Sequence, residues 1–171
     1  MTEIFQLNQK KSFMCAVELN KVVTKVKEYI CLISEPFKVK CRIASRPDQS
    51  KVLVVKSLTP PRAAIYYKCR HEIIMLDFLS NEDCVVGLLN NGDEKILLVS
   101  AYLDITKAAV PDWLAPICKY ADDNNFPTLM GVDSNAHSVL FGEETNKRGE
   151  KFEEFILKHG LMVENEASRN G

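Results

Sequence analysis

The feature that most narrows the fold is a set of short runs with no polar side. Residues 29–33, Tyr-Ile-Cys-Leu-Ile, are apolar on both faces of any strand they form. Residues 52–55, 63–67, 73–76 and 84–89 are similar, and several are rich in β-branched side chains. A half-exposed strand alternates apolar with polar, so strands of this kind must be covered on both sides. Asn90-Asn91-Gly92-Asp93 is a hairpin signal. It joins residues 85–89 to residues 96–102 and predicts an antiparallel pair.

Helical spacing interrupts these runs. Phe13, Ala16, Val17, Val22, Val23, Val26 and Ile30 share one face, and Ser12 is placed to cap it, which predicts a helix over 12–28. Pro111 opens a second helix over 112–124, with Trp113, Leu114, Ile117, Cys118 and Ala121 on its apolar side. A third spans 151–158 and stops at Gly160. A strand over 126–130 leads into Gly-Val-Asp-Ser-Asn-Ala-His, and residues 161–163 begin another. The expectation is an α/β (α+β) fold in which two mixed sheets carry helices outside.

Composition sets the outer bounds. The 171 residues are 46% hydrophobic and 26% charged, enough for one domain, 1–171, with a real core. The net charge of -1 excludes binding to nucleic acid through an overall basic excess. The six cysteines form no C-x-x-C pair, so zinc and thioredoxin-type motifs are absent. Free thiols suit an intracellular setting, cytoplasm or nucleus, rather than secretion. The N-terminus has no apolar signal-peptide core, and no run nears the roughly 18 apolar residues of a membrane span.

Polar residues stand where the apolar runs stop. Asn8 ends the first run, Glu35 the second, Tyr102 the run from 96, and Asp133 with Asn135 follows the run from 126. One polar residue at a strand end is ordinary loop chemistry. One or two carboxylates with amides make a hard oxygen set that suits Mg²⁺. Phosphodiester cleavage needs a metal, an aligned water and donors for the phosphate oxygens. In that reading Glu35 binds the metal and Asp133 orients or deprotonates the water. Asn8 and Asn135 fix the carboxylates or donate to phosphate, and the Tyr102 hydroxyl donates to a phosphate oxygen. His137, Asn146 and Arg148 are further candidates for substrate or phosphate contact. Against that, His137 suits a structural bond in its turn, Asn146 a helix cap, and Lys147-Arg148 a solvated helix start.

These stretches resemble, in order, the endonuclease/exonuclease/phosphatase superfamily. Within it the chain is most similar to the apurinic-endonuclease-like domain of non-LTR (LINE-type) retrotransposons. Gln-Leu-Asn at 6–8 resembles the opening strand with its metal-site Asn8. Leu-Ile-Ser-Glu-Pro-Phe at 32–37 resembles the strand carrying the metal-binding Glu35. Residues 61–67 and 99–105 resemble core strands, the second bearing the active-site Tyr102. Residues 131–165 carry the Asp133-x-Asn135 pair, a Thr-Asn-x-x-Gly segment and the helix after it.

The resemblance implies a four-layer αββα sandwich. It also implies cleavage of DNA phosphodiester bonds dependent on a divalent metal, Mg²⁺ with Mn²⁺ as a substitute. The DNA partner is a target duplex, nicked to prime a fused reverse transcriptase. The alternatives are another phosphoesterase or repair endonuclease of the superfamily, or an inactive fragment that keeps a metal- and nucleic-acid-binding surface. Such domains also carry a later Ser-Asp-His. His71, His137 and His159 stand in no such context, so the chain is expected to be an N-terminal portion, lacking C-terminal strands and weakly active or inactive alone.

Overall fold

The computed structural model describes residues 1–164. The element order is β1 (Thr2–Asn8), α1 (Phe13–Val23), β2 (Glu28–Ser34), β3 (Lys38–Val39), β4 (Arg42–Ile43), β5 (Lys51–Leu53), β6 (Ala63–Lys68), β7 (Glu72–Met75), β8 (Cys84–Asn90), β9 (Lys95–Tyr102), α2 (Leu114–Asn124), β10 (Thr128–Asp133) and α3 (Lys147–Lys158). One sheet has the order β1-β2-β6-β5, the other β10-β9-β8-β7, and β3 with β4 forms a separate two-stranded ribbon. Both four-stranded sheets are mixed. β1 runs parallel to β2 and β10 parallel to β9, and the remaining pairs are antiparallel.

The apolar strands are covered on both sides, as their composition requires. In β2, Tyr29, Cys31 and Ile33 pack with Leu19 and Val23 of α1. Ile30 and Leu32, on the other face, join Ile65, Val85 and Leu98 between the sheets. In β9 the same alternation sends Leu97, Val99 and Ala101 toward Leu114, Ile117 and Cys118 of α2 and Phe152, Phe155 and Ile156 of α3. The layers are therefore α1, sheet, sheet, then α2 with α3: the αββα sandwich. Fully burying one such side chain is worth about 1.5–3 kcal/mol. Two contacts fix how closely the sheets approach. The buried Ser100 hydroxyl donates to the Ile33 carbonyl at 2.9 Å, and a Cβ on Gly131 would come within 2.7 Å of the Leu32 Cβ.

Several boundaries differ from the sequence reading by a few residues. α1 ends at Val23 rather than 28, because residues 24–27 must turn the chain back for β2 to lie parallel to β1. β10 runs to Asp133 rather than 130, drawn on by its ladder with β9. α3 begins at Lys147, four residues early, where Asn146 caps it. Residues 161–163 form no strand. The β3–β4 ribbon was not expected from sequence. Among the described residues no helix is long and apolar enough to cross a membrane.

Candidate active site

The two parallel pairs deliver polar residues to one place. The β1–β2 register sets Asn8 beside Ser34, one residue before Glu35. The β10–β9 register sets Asp133 beside Tyr102. Because these strands end on the same side of facing sheets, the residues meet across the sandwich, at the carboxyl ends where α/β sheets place ligands.

Asn8 joins the halves. Its amide donates to Asp133 Oδ2 at 2.5 Å and to Glu35 Oε2 at 3.3 Å. The amide oxygen accepts from the Lys10 backbone N–H at 2.6 Å, which keeps the NH₂ turned toward the carboxylates. Glu35 lies in the left-handed region, φ 46°. Its N–H donates to the Arg62 carbonyl at 2.8 Å, and its carbonyl accepts from the Lys11 N–H at 2.9 Å. The fully buried Gln9 accepts from the Phe37 N–H at 3.0 Å and pins the chain leaving Glu35. Lys11 Nζ lies 3.0 Å from Glu35 Oε1.

Burial pushes the Asp133 carboxyl up, and the Glu35 charge adds to this. The Asn135 backbone N–H and the Asn8 and Ser34 side chains oppose the rise. Burial also raises the Tyr102 phenol, helped by the charges of Glu35, Asp104 and Asp133 and opposed by Arg62. A carboxylate that is costly to ionise and a phenol that stays protonated supply one proton acceptor and one donor side by side.

The other candidates are engaged elsewhere. Asn135, φ 48°, donates its amide to the Leu103 carbonyl at 3.0 Å, so only its backbone N–H serves Asp133. His137, exposed on the loop, pairs with Glu143. Asn146 accepts from the Gly149 N–H at 2.8 Å, the cap of α3. Arg148 donates to the carbonyls of Ser134, Lys107, Leu103 and Asp104 at 2.8–3.2 Å. Its guanidinium has too few free N–H groups to grip a phosphate as well; it ties the loop after β9 to the loop after β10. Gly149 has no alternative in this arrangement, since a Cβ there would overlap the His137 carbonyl oxygen.

Two residues not singled out from the sequence belong to the site. Lys11 is one. Arg62 is the other: its fork engages both Asp83 oxygens, and its third arm reaches Asp104 at 2.5 Å. The guanidinium lies 5.1 Å from the centre of the Tyr102 ring, cation–π distance, and so steadies that ring. The signal for Arg62 was available: a charged residue at the mouth of a wholly apolar strand has a reason to be there.

The donor set is two carboxylates joined by an amide. No group of three or more His, Cys, Asp and Glu converges among the described residues, so they form no all-protein metal cage. Mg²⁺ does not need one, since it binds through one or two carboxylates and completes its shell with water and phosphate. The residues fit that ion.

The family described as endonuclease-reverse transcriptase matches residues 96–170. The endonuclease domain of TRAS1, a telomere-specific non-LTR retrotransposon, superposes with a TM-score of 0.79 over 96% of this chain and 73% of its own, at 22% identity. No curated protein sequence matches. Residues 96–170 thus carry the pattern of the endonuclease-reverse transcriptase family, on a chain that has the fold of a retrotransposon endonuclease domain.

Proposed function

We propose that this chain is a divalent-metal-dependent endonuclease domain that cleaves phosphodiester bonds of duplex DNA, in the manner of elements that nick their target to prime reverse transcription. The observation that carries this is the Asn8 amide bridging Glu35 and Asp133 from opposite sheets. Such a bridge holds two carboxylates at a fixed separation without a charge of its own. The family match to an endonuclease linked with a reverse transcriptase supports the choice of substrate and partner.

Glu35 is the residue to hold Mg²⁺, with Mn²⁺ as a substitute, and Asn8 orients it. The ion supplies neutralisation of charge on the phosphate. Asp133, held by Asn8 and the Asn135 backbone, accepts a hydrogen bond from the attacking water and takes its proton. Its raised affinity for protons makes it a better base once ionised. Tyr102 donates its hydroxyl to a phosphate oxygen, and Arg62 keeps the ring in place for that bond. Arg148 and Asn135 hold the two loops that frame the cleft.

Supercoiled plasmid incubated with the protein and Mg²⁺ is expected to become open circles slowly, in keeping with the weak activity expected of this chain alone. Glu35→Ala and Asp133→Ala should each slow this by about 10²–10⁴-fold, the usual cost of losing such a group. Plasmid that stays supercoiled with the unaltered chain, or nicking that survives either substitution, would refute the proposal.

A further inference from the structure

Lys11 reaches the site from the loop between β1 and α1, and that loop is built at some cost. Lys10 and Lys11 are both left-handed, φ 50° and 54°, two successive side-chain-bearing residues in a region that favours glycine. Ser12 already caps α1 through its own hydroxyl, so the helix start does not demand the strain. What the strain achieves is placement. The Lys11 N–H donates to the Glu35 carbonyl, and its ammonium lies 3.0 Å from the Glu35 carboxylate. One residue therefore meets Glu35 through both main chain and side chain.

The pair is unequal in exposure. The Glu35 side chain is 16% exposed and that of Lys11 58%. A carboxylate largely withdrawn from water is met by a cation that can swing back into it. Two other cations near Glu35 are committed. Lys38 donates to the Pro61 carbonyl at 2.7 Å, and Arg62 is engaged by Asp83 and Asp104. Among the described residues Lys11 is the one cation paired with the Glu35–Asn8–Asp133 group.

We infer that Lys11 is the resident counter-cation of Glu35: it neutralises the carboxylate in the metal-free protein and must be displaced when a divalent cation binds. This rests on the reading of Glu35 as a metal ligand. A dication and an ammonium cannot share one carboxylate closely without strong repulsion, so the two compete. The released side chain then carries its charge to the mouth of the cleft, where a phosphate would stand. Lys11 in this role tunes the metal requirement, coupling tight loading to the arrival of an anionic substrate.

The test is Mg²⁺ binding in the absence of DNA, by titration calorimetry and by the rise in melting temperature. Lys11→Met removes the charge. Lys11→Gly removes it and relieves the backbone strain, so that folding is not compromised. Both should bind Mg²⁺ about two- to fivefold more tightly than the unaltered protein, the upper part of the range a single exposed ion pair commands, and Lys11→Arg should not. Glu35→Gln should abolish binding in every background. If Glu35→Gln abolishes binding but neither Lys11→Met nor Lys11→Gly tightens it, the counter-ion inference falls and the metal site stands. If the unaltered protein binds no Mg²⁺, or Glu35→Gln leaves its binding unchanged, the metal-site reading falls and takes the inference with it.

Discussion

Asp133, in the role proposed for it, sets function against stability. It ends a strand between two sheets, where burial and the Glu35 charge both favour its protonated form. Its folded-state pKa therefore lies above the ordinary value near 3.9. Within the window between those values the folded protein holds a proton that the unfolded chain has lost, so stability falls as pH rises through it. Above the window the ionised side chain remains a standing cost. Asp133→Asn removes that charge and keeps an oxygen that can accept from Asn8. The expected result is a higher melting temperature than the unaltered protein at neutral pH without metal, with the gap closing as pH falls through that window toward about 4. Added Mg²⁺ should narrow the gap at neutral pH, because a bound cation stabilises the ionised form. Melting curves over a pH series check it, and a less stable Asp133→Asn protein at neutral pH would overturn it. This trade, stability surrendered for a reactive site, is common.

Elements were more legible than the joints between them. The apolar runs announced buried strands because nothing else places five such residues in a row between turns, and β2, β6 and β8 lie close to where those runs do. The end of β10 was misjudged because Gly-Val-Asp looks like a turn locally, whereas pairing with β9 keeps it extended through Asp133. The strand-end polar residues could be picked out singly. That Asn8 reaches Asp133 could not, because 125 residues separate them and only sheet packing joins them. Arg148 was opaque for a related reason, since each of its four carbonyl partners lies in a loop at least 14 residues away. Its role at the start of α3 yields a prediction at this scale. Lysine keeps the charge but has no planar fork, and can reach only one or two of those carbonyls. Arg148→Lys should cost about 1–3 kcal/mol in urea denaturation, the worth of lost bonds to a charged donor. It should also open the loops around residues 104–107 and 134–146 to protease. Unchanged stability and unchanged cleavage there would show that the two loops stand without the clamp.

For the whole molecule the informative quantity is where the charge lies rather than its sum. The net value of -1 argued against a basic nucleic-acid binder. Yet residues 36–62, which leave the site just after Glu35 and return to it at Arg62, hold seven Lys and Arg against one Asp. The remainder of the chain therefore carries seven net negative charges. The sum hid a dipole that the sequence contained. Within that excursion Lys40, Arg42 and Arg46 are exposed and form no ion pair among the described residues. Exposed, unpaired cations on an excursion that starts and ends at the proposed site suit the backbone of the proposed DNA substrate, which binds proteins through release of its counterions. Each phosphate contact contributes about 0.9 to the slope of log affinity against log salt. Replacing all three residues with Gln should flatten that slope by about 2–3 and weaken duplex binding most at low salt. The melting temperature should hold, because exposed, unpaired side chains contribute little to the fold. Filter binding or fluorescence anisotropy over a salt series reads the slope directly. An unchanged slope would show that Lys40, Arg42 and Arg46 make no phosphate contact and would overturn this placement of the DNA.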